Sequence, residues 1–163
     1  MESHLSYIVW DENKQENQMP PKAKVICSQG PLFVRKLVDS TLIHNSLYLH
    51  LSNETDRNGS STYIYLGAWD DQKVTHGAQI KNSIFQSYEV GTEQEHLLLF
   101  YILEGSAFVL KHRQHYSNAF DLAQVLLDHY HTVGESHYEV MHACLDHESR
   151  KVLLFLTHSE FQE

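Results

Sequence analysis

The sequence predicts an α+β domain: a central mixed β-sheet flanked by one long and one shorter helix and extended by a C-terminal β-hairpin. The first observation is the run at residues 63–66, which is aromatic or aliphatic without a polar break, as in a strand buried on both faces. Gly67 ends that run. The second is an amphipathic helical pattern over residues 70–88, and the third is a shorter one over residues 118–131.

The long helix is predicted to start at Asp70 and Asp71, whose carboxylates can cap the unpaired N–H groups of a helix N-terminus. Spacing of about 100° per residue places one broad stripe against the sheet. The predicted stripe consists of Val74, Gly77, Ala78, Ile84, Phe85 and Tyr88. Lys81 falls inside it, and we expect its methylene stem to cross the sheet while the ammonium group reaches water.

Ile80 projects about 100° away from the centre of this stripe, on the flank where a solvated helix more often carries charge. An apolar residue there predicts either a solitary surface aliphatic or a contact with a partner protein.

Around the central region, residues 1–21 are predicted to form an N-terminal edge strand at 7–10 followed by a flexible linker that ends in two prolines. Residues 22–134 are predicted to form the main domain. Residues 135–163 are predicted to add a hairpin that packs on the same domain, with strands at 138–145 and 152–157. The start of a second, truncated repeat is the less favoured alternative, because the six residues after Thr157 leave no room for another helix. No internal repeat is otherwise expected.

Between residues 22 and 134 the order of motifs resembles the gelsolin and villin repeats. The matching motifs are AKVICSQG, the strand pattern from Ser40 to Leu51, the strand ending at Gly67, a helix with Gly77-Ala78-Gln79, HLLLFYILEG from His96, and NAFDLAQVLLDH from Asn118. The resemblance implies a gelsolin-like fold and binding of actin through the exposed flank of the long helix. The candidate partner-binding residues on that flank are His76, Gln79, Ile80 and Ser83. Calcium is not expected, because Asn45 and Ser46 replace the family's Gly-Asp pair and no glutamate lies between Asp71 and Tyr88.

Charge and composition narrow the classes of partner. The formal net charge is −9, and the 12 Lys and Arg are scattered along the chain. They do not form the basic stripe that binding to nucleic acids requires. Anionic lipid is disfavoured for the same reason. No apolar run reaches the length of a membrane span and no signal peptide is recognisable, so we expect a cytoplasmic protein. Binding to acidic actin would then be slow or enhanced by salt.

The 13 histidines and two cysteines raise the question of an enzyme. Neither HExxH nor a helical i, i+4 histidine pair occurs, and there is no GxSxG elbow, P-loop or dinucleotide fingerprint. We therefore predict no catalytic residues, no metal and no cofactor. Two alternatives to actin binding stay open: a gelsolin-like scaffolding module in a larger complex, and a metal-dependent enzyme that uses the histidines between His129 and His142.

Overall fold

In a computed structural model, residues 2–159 of the 163-residue chain are described. The strands within this range are β1 (Ser3–Asp11), β2 (Glu16–Asn17), β3 (Ala23–Cys27), β4 (Ser40–Ile43), β5 (Ser46–Thr55), β6 (Ser61–Ala68), β7 (His96–Glu104), β8 (Ala107–Tyr116), β9 (Tyr130–Val133), β10 (Ser136–Asp146) and β11 (Lys151–His158). The helices are α1 (Gln29–Leu37), α2 (Gly77–Gln86) and α3 (Ala119–Leu127), and a 3₁₀ turn at Asp71–Lys73 precedes α2.

All eleven of these strands belong to one mixed sheet. Its order is β2-β1-β6-β5-β4-β10-β11-β7-β8, with β3 paired to β1 and β9 paired to β10. The pairs β1–β6, β4–β10 and β7–β11 are parallel, and the remaining pairs are antiparallel. The sheet is therefore continuous across the middle of the chain, because β4 from the first half pairs with β10 from the second.

The two halves of the chain repeat one structural unit. Helix α3 begins 90 residues after α1, and β9, β10 and β11 begin 90 residues after β4, β5 and β6. Strand β7 begins 93 residues after β1 and makes the same parallel pairing with the last strand of its unit. We call β1–β6 with α1 the first unit, and β7–β11 with α3 the second unit.

Local irregularities repeat with the same period. The β5–β6 ladder shifts register between His50 and Ser52, and the β10–β11 ladder shifts between Val140 and His142. Asp56 accepts a hydrogen bond from the N–H of Ser60 in the turn after β5, and Asp146 accepts one from Ser149 in the turn after β10. The expectation that the chain lacks an internal repeat is therefore wrong.

Each face of the sheet has its own helices. Helices α1 and α3 lie side by side on one face, where an added Cβ at Gly30 would stand only 3.1 Å from the Cβ of Ala119. Beneath α3 lie Leu98, Leu154 and Leu156 of the second unit. Helix α2 lies on the other face and packs through Ile80 and Ile84. We call these the α1/α3 face and the α2 face.

The predicted architecture of one long and one shorter flanking helix is wrong. The segment expected to form a long helix divides into the 3₁₀ turn, a break at His76, and a ten-residue α2. His76 has φ 58 and ψ 32, the left-handed conformation, which no residue inside an α-helix adopts. The coarse class, α+β with a mixed sheet, is confirmed, but the sheet dominates and all three helices are short.

Two strand predictions are each correct only in part. The C-terminal segments do form an antiparallel hairpin of β10 and β11, but it is not an addition to the sheet, because β10 also pairs with β4 and β11 with β7 in the middle of the strand order. Residues 7–10 lie in a strand, but the prediction of an edge strand is wrong because β1 lies between β6 and β3. Part of the predicted linker is also paired, since Glu16 and Asn17 form β2 against the end of β1.

Gly77 is required where the break at His76 meets α2. A Cβ added at Gly77 would lie 2.3 Å from the carbonyl oxygen of Asp71, a backbone atom that cannot move without disturbing the 3₁₀ turn. We expect Gly77→Ala to lower the free energy of unfolding by about 2 kcal/mol, as overpacking does. Urea unfolding monitored by circular dichroism measures the change. The control, Asn82→Ala on the exposed side of the same helix, should shift stability by less than about 0.5 kcal/mol.

Candidate functional site

The four residues predicted to bind a partner do not form an exposed surface. Ile80 is 0% exposed and Ser83 is 9% exposed, so this flank of α2 faces the sheet. The Ser83 hydroxyl donates to the carbonyl oxygen of Gln79 at 3.1 Å. His76 is partly buried, with its ring 6.1 Å from the ring of Phe108. The predicted orientation of the helix is therefore wrong.

Most of the residues predicted to face the sheet are exposed instead. Ala78 and Lys81 are exposed, Phe85 is 42% exposed, and Tyr88 is 85% exposed just beyond the end of the helix. Of the predicted stripe, Gly77 and Ile84 are buried. The outward surface of α2 and its continuation therefore carries two large aromatic side chains.

The histidines between residues 129 and 142 do not converge on one point. His129 is exposed, His131 packs against the ring of Phe100, and the Nδ1 of His137 lies 3.1 Å from the hydroxyl of Thr132. His142 is 4% exposed and contacts the hydroxyl of Ser40. Within residues 2–159, no group of three or more His, Cys, Asp or Glu side chains is arranged to hold a metal ion.

A polar cluster lies where the two units meet. The hydroxyl of Ser40 is 2.7 Å from Nε2 of His142, and the hydroxyl of Thr41 is 2.6 Å from Nε2 of His50. A carboxylate oxygen of Asp39 accepts the N–H of Ala143 at 2.9 Å. These bonds tie β4 to its neighbours β5 and β10. Sequence reasoning missed the cluster because its members are far apart in the chain and match no motif.

The cluster contains serine, histidine and aspartate but lacks the access that catalysis needs. Ser40 and Thr41 are both 0% exposed, so no substrate can reach their hydroxyls. Burial raises the pKa of the adjacent Cys144 thiol to about 12, the opposite of an activated thiolate. Burial also lowers the pKa of His50 to about 4 and lowers the pKa of His142, although Asp39 opposes the second shift. Both histidines are therefore neutral at pH 7.

The largest difference between the two units is on the α2 face. In the second unit, the side chains of Leu99, Leu153 and Phe155 point to this face and are each 0% exposed beneath α2. The corresponding residues of the first unit are Ser6, Tyr63 and Tyr65, and each is partly exposed. No described helix covers them, because the core beneath α2 extends from the second unit only as far as Leu42 of β4 and Leu47 of β5. The same sheet surface is thus a core in one unit and an open surface in the other.

Leu51 completes this surface. It is 52% exposed, and its side chain lies over Gly67, where an added Cβ would come within 3.1 Å of it. The hydroxyl of Tyr65 donates to a carboxylate oxygen of Glu54 at 2.5 Å, and this bond raises the pKa of Tyr65 to about 12. We call Ser6, Leu51, Tyr63 and Tyr65 together the open face.

Helix α2 stands above the sheet near the ends of β1 and β6. Lys81 lines a groove of about 740 Å³ there, together with residues that include Trp10 and Trp69. Phe85 lies four residues after Lys81, on the same side of the helix. The α2 face is therefore stepped, with an open sheet on one half and a raised helix on the other.

The chain was compared with protein families, curated proteins and solved structures, and none of the three comparisons finds a match. Among the described residues, no helix combines the length and the hydropathy that crossing a bilayer requires.

Proposed function

We propose that this protein is a protein-binding module and that its docking surface is the open face. The observation that carries the proposal is the contrast between the units. Tyr63 and Tyr65 are partly exposed at the positions where Leu153 and Phe155 are completely buried beneath a helix. A sheet surface that is packed in one unit and uncovered in the other is suited to receive an element from a partner.

The chemistry of the open face supports this proposal. Tyrosine is among the side chains that most often anchor protein interfaces, because it buries a large ring while its hydroxyl keeps a polar partner. Leu51 adds an exposed aliphatic side chain that lies over Gly67. On the opposite side of the sheet, the exposed rings of Phe33 and Phe120 partly cover each other, with centroids 5.7 Å apart. The open face has no comparable cover.

The two candidate partners, actin and a component of a larger complex, are supported by different observations. Actin is implied by the resemblance to gelsolin and villin repeats, whereas the flank of α2 that such binding would use is buried. A scaffolding role in a larger complex requires only the open face. The net charge of −9 opposes association with any acidic protein, so binding to actin through this surface should strengthen as salt screens the repulsion.

Photocrosslinking from the open face tests the proposal. A benzophenone amino acid replaces Tyr63, and in a matched control it replaces Leu127, which is 59% exposed at the end of α3 on the opposite side of the sheet. We expect illumination in a cell extract to give a discrete protein adduct from position 63 and none from position 127. Mass spectrometry of the adduct distinguishes actin from a component of another complex.

The proposal is wrong if position 63 gives no adduct, or if both positions give the same adducts. A second experiment measures co-sedimentation with filaments of purified actin. Co-sedimentation with filaments that is lost in Leu51→Asp and kept in Leu127→Asp would assign actin to the open face. Co-sedimentation that neither variant changes would place actin on another surface.

A further inference from the structure

We infer that a cavity beside α1 binds a small ligand through a phosphate group. The cavity has a volume of about 400 Å³ and is lined by residues of α1, of β3, and of the turn that joins β10 to β11. None of the open-face residues lines it, so this second site is independent of the proposed function. Its basic lining residues are Arg35, His96, His147 and Arg150.

The cavity collects basic side chains in a chain whose net charge is −9. Two of the 12 Lys and Arg and two of the 13 His line it. Among its described lining residues Glu148 is the only acid. The Oε1 of Glu148 already accepts the N–H of His44 at 2.6 Å and lies 3.1 Å from the Nδ1 of the same histidine. The two arginine charges are therefore largely uncompensated, which favours an anionic ligand.

The guanidinium of Arg150 makes no hydrogen bond or ion pair with any residue of the described range 2–159, and its Nε is buried. Asp146, four residues earlier, does not serve it. That carboxylate accepts the N–H of Ser149 at 3.2 Å and lies 4.0 Å from the ammonium of Lys151. Buried polar groups in proteins nearly always have a partner, and a charged donor is the costliest to leave without one. A bound oxyanion would supply that partner.

The first unit closes the corresponding corner with short side chains. Ser3 begins β1 as His96 begins β7, and its hydroxyl donates to the carbonyl oxygen of Gly59 at 3.0 Å. Ser60, the counterpart of Arg150, donates its hydroxyl to an aspartate of its own turn at 3.2 Å. The polar groups of that corner satisfy one another. The second unit instead has an imidazole and a guanidinium at these two positions, so packing of the repeated fold does not explain them.

Arg35 and His147 are held in place beside the cavity. One Nη of Arg35 donates to the hydroxyl of Tyr7 at 3.1 Å and lies 3.0 Å from the Nδ1 of His147. Because a guanidinium only donates, this Nδ1 accepts, and the imidazole proton is on Nε2. Burial lowers the pKa of His147, and Arg35 lowers it further. The histidine is therefore neutral at pH 7 and adds a donor without adding charge.

Phosphate is the anion that this lining fits best. The planar fork of an arginine matches two oxygens of a phosphate group, and imidazole N–H groups can bind the others. Val25, Ile26 and Leu145 line the same cavity and suit an apolar ligand body. His96 and Arg150 also line an adjoining hollow of about 440 Å³, which gives such a body further room.

Calorimetric titration with inorganic phosphate and with phenyl phosphate tests this site. Sodium chloride keeps the ionic strength constant, so that general screening is the same in every sample. We expect one saturable site per chain, and a shift of the Arg150 Nε–H signal in ¹H–¹⁵N spectra as ligand is added. Tighter binding of phenyl phosphate would assign an organic phosphate ester, whereas equal affinities would assign free phosphate.

Two variants identify the site. Arg150→Gln removes the charge and keeps a polar side chain, and it should raise the dissociation constant about tenfold or more. The matched control is Arg57→Gln, which removes the same charge from an exposed arginine in the corresponding turn of the first unit and should leave the dissociation constant unchanged. Circular dichroism confirms that both variants are folded.

Three results would each overturn the assignment of this site. They are the absence of saturable binding at constant ionic strength, equal weakening by Arg150→Gln and Arg57→Gln, and an Arg150 Nε–H signal that phosphate does not move. Crosslinking from position 63 is unaffected by any of them, because the cavity and the open face share no residue.

Discussion

Replacing Ile80 with aspartate is expected to destabilise the whole protein. Ile80 is 0% exposed and packs with Leu99, Leu153 and Phe155 in the core beneath α2. Removing a buried isoleucine side chain costs about 2–5 kcal/mol, and a carboxylate placed there must also be desolvated or protonated. We expect a loss of at least about 4 kcal/mol, a large part of the stability of an ordinary domain.

Thermal and urea unfolding measure this loss. The matched control is Asn82→Asp, which introduces the same charge two residues away on the exposed side of α2 and should cost less than about 1 kcal/mol. Under the sequence-based orientation of the helix, Ile80→Asp would leave the fold intact and abolish only binding. A variant with wild-type stability would therefore support that orientation and contradict the packing of α2.

Acidification is expected to lower the free energy of unfolding through the buried histidines beside β4. Burial lowers the pKa of His50 to about 4, whereas in the unfolded chain it lies near 6.5. The unfolded state therefore binds the proton first as the pH falls below 6.5, and stability decreases until His50 is protonated in the folded state near pH 4. A difference of about 2.5 pKa units corresponds to about 3 kcal/mol.

His142 shifts in the same direction and adds to this loss, although Asp39 reduces its part. Urea unfolding at several pH values between 7.5 and 4.5 measures the dependence. His50→Gln keeps a polar side chain beside Thr41 without a titrating imidazole, and it should flatten the decrease in stability below pH 6.5. An unchanged pH dependence in this variant would show that His50 does not carry the effect.

The strands could be predicted from the sequence because their patterns are strong. The unbroken run at residues 63–66 predicts β6, and two apolar segments separated by a polar turn predict β10 and β11. The orientation of α2 could not be predicted, because the apolar residues at 80, 84, 85 and 88 allow two different stripes of the helix to face the sheet. The left-handed His76 ends the earlier part of the pattern, so the true helix begins at Gly77 with a different stripe.

The internal repeat is hidden for a different reason. The segments from α1 to β6 and from α3 to β11 match position by position, yet few residues are identical at the 90-residue spacing, among them Leu66 with Leu156 and Asp56 with Asp146. A fold needs a pattern of apolar positions and suitable turns, and many sequences provide it. The open face could not be recognised from the sequence as long as the repeat was not recognised. Tyr63 and Tyr65 become informative only when they are compared with Leu153 and Phe155.

The central claim is that the sheet surface at β1 and β6 is open, whereas the corresponding surface at β7 and β11 is covered by α2. Thiol labelling of Tyr63→Cys and Leu153→Cys at low protein concentration tests it most directly, because these positions correspond and the native Cys27 and Cys144 are 8% and 0% exposed. We predict labelling of position 63 at nearly the rate of a free thiol, and labelling of position 153 only through unfolding. Equal rates at the two positions would contradict the claim.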